Sequence, residues 1–239
     1  MGISTNRATR RAIAAAALLG SVASVAAANE VVVYSARSHY GQEPAIDAFT
    51  KKTGIQVKSH GGNSSELFDR LKAEGDRTPA DVLITVDAGN LWNAAQAGLL
   101  AKIDSPETQA NVPANLRDPQ GRWVALTVRA RTIMYNTRKV KPEELSTYEA
   151  LADPKWKNRI CLRTSGYIYN QSFLATMIKR QGEPRVETVV RGWATNNPTL
   201  INGDTKILKP IAAAQCDVGI TNTYYLARIL AKDPAFPVA

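Results

Sequence analysis

Three short β-rich runs, "VVVYS" (31–35), "IQVK" (55–58) and "ADVLITV" (80–86), are each followed by a stretch of helical character. This alternation narrows the fold more than any other feature of the chain. Strands alternating with helices make an α/β protein with a parallel sheet, whose ligands sit in loops at the carboxyl ends of the strands. In "EPAIDAFTKKTG", Pro44 suits a first helical turn and Gly54 a helix stop, with Ile46 and Phe49 forming an apolar stripe. Asn63 and Glu66 have capping-box spacing ahead of "LFDRLKAEG". The continuous apolar run at 80–86 predicts a strand covered on both faces. It leads into "DAGNLWNAAQAGLL", a loop and a helix with Leu91, Ala94, Ala95 and Leu99 on one side.

The pattern changes near residue 123. "WVALTVRARTIMYN" reads as two extended runs across a polar kink at 129–131, a crossing between two lobes with a cleft between them. Beyond it come strand-like "RICLR", the loop "TSGYIYN", helix-like "QSFLATMIKR" and "RVETVVRGWATN", and a short strand "DVGIT". Neither an internal repeat nor a low-complexity tract is visible.

The first 28 residues stand apart. Arg7, Arg10 and Arg11 precede "AIAAAALLGSVASVAAA", which ends in small residues suited to cleavage after Ala28. That order is a secretory signal, too short and alanine-rich for a membrane anchor, and it lacks the polar face of a buried N-terminal helix. "TRRAIA" weakly resembles a twin-arginine signal, so the general and the twin-arginine export routes both stay open. Removing this segment takes away three arginines and no acids, lowering the formal charge from +9 to +6. The remaining Lys and Arg residues are scattered without interleaved aromatics, and an exported chain does not meet nucleic acid. Cys161 and Cys216 are the only cysteines, and in an oxidising compartment they are expected to pair. Closing a loop of that length contributes about 4 kcal/mol in the chain-entropy model.

The chemistry points to tyrosine. "NTYYLAR" sets Tyr224 and Tyr225 side by side at the start of a helix that Asn222 or Thr223 can cap. The positive end of the helix dipole favours phenolate, and a hard, highly charged ion such as Fe(III) displaces the phenolic proton. Adjacent residues at a helix start diverge unless the turn is irregular, and from the dipeptide alone one ring in the core and one at the rim is the plainer reading. Two further loops strengthen the metal reading. "SHYGQ" holds His39 and Tyr40, and "SGYIYNQS" holds Tyr167 and Tyr169. Each cluster follows a strand and precedes a helix, whereas Tyr34 and Tyr135 read as strand residues.

With "VVVYSARSHYGQEPAIDAFTKKTGIQV", "RTPADVLITVDAGNLWNAAQAGLL", "VRARTIMYN", "SGYIYNQSF" and "CDVGITNTYYLAR", the chain resembles the periplasmic ferric-iron-binding proteins, substrate-binding components of ferric ABC importers. The resemblance runs from Glu30 to the last residue and implies a two-lobed, Venus-flytrap (type II) periplasmic binding protein of the transferrin-like class. Residues 1–28 would be the signal peptide, 29–128 the N-terminal lobe and 129–239 the C-terminal lobe. The family's returning C-terminal segment would be lacking. Tyr224, Tyr225, Tyr169 and Tyr40 would be ligands of Fe(III), with His39 a ligand or neighbour and Tyr167 the runner-up to Tyr169. Arg129 or Arg131 would offset phenolate charge or hold a synergistic anion such as carbonate, with Arg37 and Arg228 more distant candidates. Family loops often read "SRHY" where this chain reads "SARSHY", which shifts His39. The implied protein is a periplasmic monomer that passes iron to an inner-membrane permease, neither catalysing a reaction nor staying in the membrane.

Two other readings stand beside it. One is a binder of a small oxyanion or organic acid, held by Arg129, Arg131 and helix N-termini with the tyrosines as walls. The other is a secreted iron-dependent enzyme using His39, His60 and a carboxylate such as Asp87, although Asp87 also suits a helix cap. No Gly-x-Ser-x-Gly elbow or His-Glu-x-x-His helix supports an enzyme.

Overall fold

A strand rich in β-branched residues, β1 (Glu30–Ser35), forms the middle of a three-stranded parallel sheet. It pairs with β2 (Gln56–Gly61) on one side and β3 (Val82–Ile84) on the other. The computed structural model describes residues 30–37 and 43–239. The signal segment, His39 and Tyr40 lie outside the described residues.

Helix α1 (Pro44–Thr53) links β1 to β2. It starts on Pro44 and stops at Gly54, whose φ of 75° lets its N–H reach Thr50 O at 2.8 Å. α2 (Ser64–Glu74) carries the expected capping box: Asn63 Oδ1 accepts from Glu66 N at 2.9 Å, and Glu66 Oε2 accepts from Asn63 N at 3.3 Å. Its Leu67 and Leu71 are buried. α3 (Ala88–Gln96) is capped by Asp87 and buries Ala94 and Ala95, and α4 (Pro106–Asn111) follows.

Three expectations fail in this region. The Ile46/Phe49 stripe is not covered, for α1 buries no residue and Phe49 is 39 % exposed. The run at 80–86 contributes only three residues to a strand at the end of the sheet order, where Val82 is 42 % exposed. Its apolar continuity describes what can be buried, not what packs upon it. The run at 123–128 makes one isolated bridge, Arg117 to Val124, and leaves Leu126 and Val128 exposed.

The later residues build a second sheet. β4 (Arg131–Tyr135) lies antiparallel to β7 (Val218–Asn222). Next to β7 runs β5 (Ile160–Arg163), and beyond it β6 (Thr199–Ile201), both parallel, giving the order β4-β7-β5-β6. Helices α5 (Ile168–Gln181), α6 (Glu183–Thr195), α7 (Asp204–Ala212) and α8 (Thr223–Leu230) complete it. All five residues of β7 are buried. One core gathers Leu151, Trp156, Met177, Val189, Trp193 and Val218, and another gathers Met134, Ile207, Leu208, Ile211 and Leu226. Gly219 permits the close approach of α7: a Cβ there would stand 2.7 Å from Cys161 O and 2.9 Å from Ile207 Cγ2.

Cys161 and Cys216 form the expected disulfide, with Cα atoms 5.7 Å apart across 55 residues of chain. The last residues lie along β4: Tyr135 and Ala239 exchange backbone hydrogen bonds of 2.9 and 3.1 Å. Among the described residues no helix is long and apolar enough to cross a membrane.

Candidate metal centre

β7 delivers its chain to the start of α8, and there the tyrosine pair is placed. Asn222 occupies the N-cap position with an extended backbone, but its side chain does not cap. Its Oδ1 instead accepts from Arg131 Nη1 at 3.3 Å. Leu226 buries the inner face of α8, and Tyr225 packs on the second core beside it. The rings of Tyr224 and Tyr225 do not diverge: their centroids are 4.2 Å apart and their planes inclined by 38°.

Tyr169 comes to the same place from β5. It sits in the first turn of α5 and is 5 % exposed. Its phenol lies close enough to that of Tyr224 to interact with it. Burial pushes the Tyr169 phenol well above the ordinary tyrosine range, the neighbouring Tyr224 phenol adds to the rise, and the Arg129 guanidinium pulls the other way. Ionisation of Tyr224 or Tyr225 would raise it further. Three phenols thus crowd together, and the buried one, Tyr169, keeps its proton unless a cation compensates the charge.

Tyr167 has a different setting. Its ring meets Tyr169 edge-on at 4.8 Å, and the Arg163 guanidinium lies 3.4 Å from its centroid. It is a cation–π partner at the margin of the cluster.

The two candidate arginines also separate. Arg129 lies 5.5 Å from the Tyr169 ring centroid and donates to the Val86 carbonyl. Arg131 is committed elsewhere: its Nη atoms meet both carboxylate oxygens of Asp204 at 3.1 and 3.3 Å, and Nη2 also reaches Asn170 Oδ1 at 2.8 Å. Of the more distant candidates, Arg37 pairs with Glu43 at 2.7 Å, and Arg228 stands in the last turn of α8. His60 lies in β2, edge-on to Tyr34 at 5.7 Å, and Tyr34 and Tyr135 are strand residues as expected. Asp87 serves as a cap, accepting from Gly89 N at 2.8 Å. Among the described residues, no three His, Cys, Asp or Glu side chains gather in a way that could hold a metal ion.

A cavity of about 1140 Å³ opens beside the cluster. Asp87 and Ala88 from the first region line it, as do Arg129, Tyr169, Phe173 and Asn222 from the second. Among the described residues, two polar contacts link β3 and its following turn to the second sheet and its helices at this wall. Ser172 Oγ donates to Asp87 Oδ1 at 2.6 Å, and Arg129 reaches the Val86 carbonyl. Sequence reasoning missed Ser172, Asn170, Arg163 and Asp204. "GDTKIL" signals Asp204 only as an ordinary acid in a first helical turn.

The family described as bacterial extracellular solute-binding protein matches residues 77–239. Iron uptake protein A1 of Synechocystis sp. is 44 % identical over 209 residues, covering 86 % of this chain and 58 % of that protein. The Fe(3+)-binding periplasmic protein of Serratia marcescens is 31 % identical over 215 residues, covering 89 % and 63 %. The chain therefore spans about 58 % of the length of the first of these relatives. Among solved structures, the Trichodesmium protein IdiA (FutA) in complex with iron and citrate ligands superposes with a TM-score of 0.81 at 44 % identity. That match covers 88 % of this chain and 69 % of the other. The two-lobed α/β fold expected from the sequence is the fold of these neighbours.

Proposed function

Because the chain belongs to the bacterial extracellular solute-binding proteins, we propose that it binds Fe(III) through tyrosine phenolates and delivers it to an ABC permease. The observation that carries this reading is the convergence of three phenols from two separate strand-to-helix turns. Tyr169 interacts with Tyr224, and the Tyr225 ring centroid lies 4.2 Å from that of Tyr224. Tyr40 and His39 are the further candidates from the first loop. Relatives named for iron uptake and for Fe(3+) binding support the same cargo. On this reading the protein works in the periplasm after losing residues 1–28.

The chemistry follows from charge. A phenol with an ordinary pKa of about 10 is a poor ligand until its proton leaves. Fe(III) displaces that proton and gains a hard anionic oxygen. Several phenolates around one trivalent ion build up negative charge, which Arg129 is placed to offset. A co-bound anion such as carbonate would meet Arg129, since Asp204 already fills the fork of Arg131. Closing the cavity wall around the ion would exclude water, and opening at the permease would release it.

Binding releases phenolic protons, so iron affinity must fall as pH falls. For the iron-free protein, the raised pKa of Tyr169 means that the folded state holds this proton more tightly than the unfolded one. The associated stability is present below the ordinary tyrosine pKa and is lost as pH rises through the folded value, so iron-free melting temperatures should drop in strong alkali.

Titration of the protein with Fe(III) under visible light tests the proposal. A phenolate-to-iron charge-transfer band should grow to saturation, weaken in acid, and disappear in the Tyr224→Phe, Tyr225→Phe double variant with the fold intact. A full band in that variant would refute the ligand set.

A further inference from the structure

Against the turns that carry the tyrosines lies a buried ion cluster that the proposed ligand set leaves out. Asp204 opens α7 with its side chain fully buried, and it faces two guanidiniums that are each 9 % exposed. Its Oδ2 stands 3.1 Å from Arg131 Nη1 and 3.3 Å from Arg163 Nη1, and its Oδ1 stands 3.3 Å from Arg131 Nη2. Two cations share one anion, and among the described residues Arg131 Nε and Arg163 Nε have no hydrogen-bond partner. As a device for stability alone this is a poor arrangement, because apolar packing of the same volume often does as well or better.

Its value lies in where the remaining bonds of Arg131 go. Nη2 donates at 2.8 Å to Asn170, the residue after Tyr169. Nη1 donates at 3.3 Å to Asn222, two residues before Tyr224. Nη2 also reaches the Ile220 carbonyl at 3.2 Å. Asn170 in turn donates to the Arg163 carbonyl at 2.7 Å, and the Arg163 guanidinium stacks on Tyr167. One guanidinium thus bridges the two turns that present the phenols, and one carboxylate fixes that guanidinium in both rotation and depth.

We infer that Asp204 is a positioning residue for iron, setting through Arg131 the spacing between Tyr169 and the Tyr224–Tyr225 pair. The inference rests on the reading of those tyrosines as ligands. It adds that the anion required at Arg131 is supplied by the chain itself. If that carboxylate is removed, the two guanidiniums are left facing a gap that a small carboxylate from solution fits.

The test is ferric titration of the full chain followed by the visible band, with circular dichroism as the check on folding. Asp204→Ala should weaken iron binding about 10- to 100-fold, as loss of a partner behind metal ligands typically does. Acetate or formate should restore much of that loss and leave the wild type unchanged. Asp204→Asn keeps the volume and removes the charge, and should show a similar loss. Asn222→Ser spares the ion cluster, keeps a small polar side chain at the N-cap position and cuts one link, and should weaken binding several-fold with a shifted band. Wild-type affinity in both Asp204→Asn and Asn222→Ser would overturn the inference. So would a loss in Asp204→Ala that no anion rescues alongside a normal Asn222→Ser. If neither Asp204 variant folds, Asn222→Ser decides alone. Absence of the band in the wild type would instead refute the tyrosine ligands before any variant is read.

Discussion

The two regions of the molecule are built to different standards. In the first, built around β1–β3, a three-stranded sheet has α1 beside it with nothing buried, and Val82, Leu126 and Val128 stand open. Its small core of Tyr34, Ala36, Leu67 and Val86 is completed by Tyr169 from the other region. In the second, built around β4–β7, a four-stranded sheet is packed on both faces and closed by a disulfide. The three clustered phenols, Tyr169, Tyr224 and Tyr225, all stand on the second. Groups that must meet within a fraction of an ångström sit where packing holds them, and the open region supplies a wall. On the proposed reading, a site that opens and closes would draw its ligands from the second region, with the first as the moving wall.

The contrast can be attacked at several points. The largest effect is expected from Cys161→Ser with Cys216→Ser, which should lower stability by about 4 kcal/mol in chemical denaturation. A loss under about 1 kcal/mol would mean that the second sheet does not depend on its crosslink. Next, Gly219→Ala forces a Cβ to 2.7 Å from Cys161 O, a backbone atom that cannot swing away, and should cost about 3 kcal/mol. Ser172→Ala removes the bond to Asp87 across the cavity wall and should cost about 1.5 kcal/mol. In that variant small-angle scattering should show a looser iron-free protein, and an unchanged profile would deny that the contact joins the regions. Smallest is Phe49→Ala, expected within about 0.5 kcal/mol of wild type because its stripe covers nothing. A loss of about 2 kcal/mol or more there would show a core on α1 and erase the contrast.

Local chemistry was legible in the sequence where it acts over a few residues. The Asn63–Glu66 box, the Pro44 start, the Gly54 stop and the short strand before Tyr224 all appear as expected. What failed depended on partners. The Ile46/Phe49 stripe and the run at 123–128 carry the right side chains, yet neither is covered. At the site, the tyrosine clusters announced themselves by their position between strand and helix. Asp204 did not, because its meaning comes from Arg131, 73 residues away in the chain, and no pattern of neighbours encodes that pairing. Asn222 shows the same limit: it holds the cap position, and its side chain is taken by an arginine from β4.

The disulfide has a further consequence. Cys161 precedes Tyr169 by as many residues as Cys216 precedes Tyr224, so one sulfur staple joins two arms of equal reach that end in the phenols. On the iron reading, a chain still in the reducing cytosol carries those arms unstitched and grips metal less firmly. Full grip arrives with oxidation outside, so a newly made copy has less chance to travel already loaded with the cell's own iron.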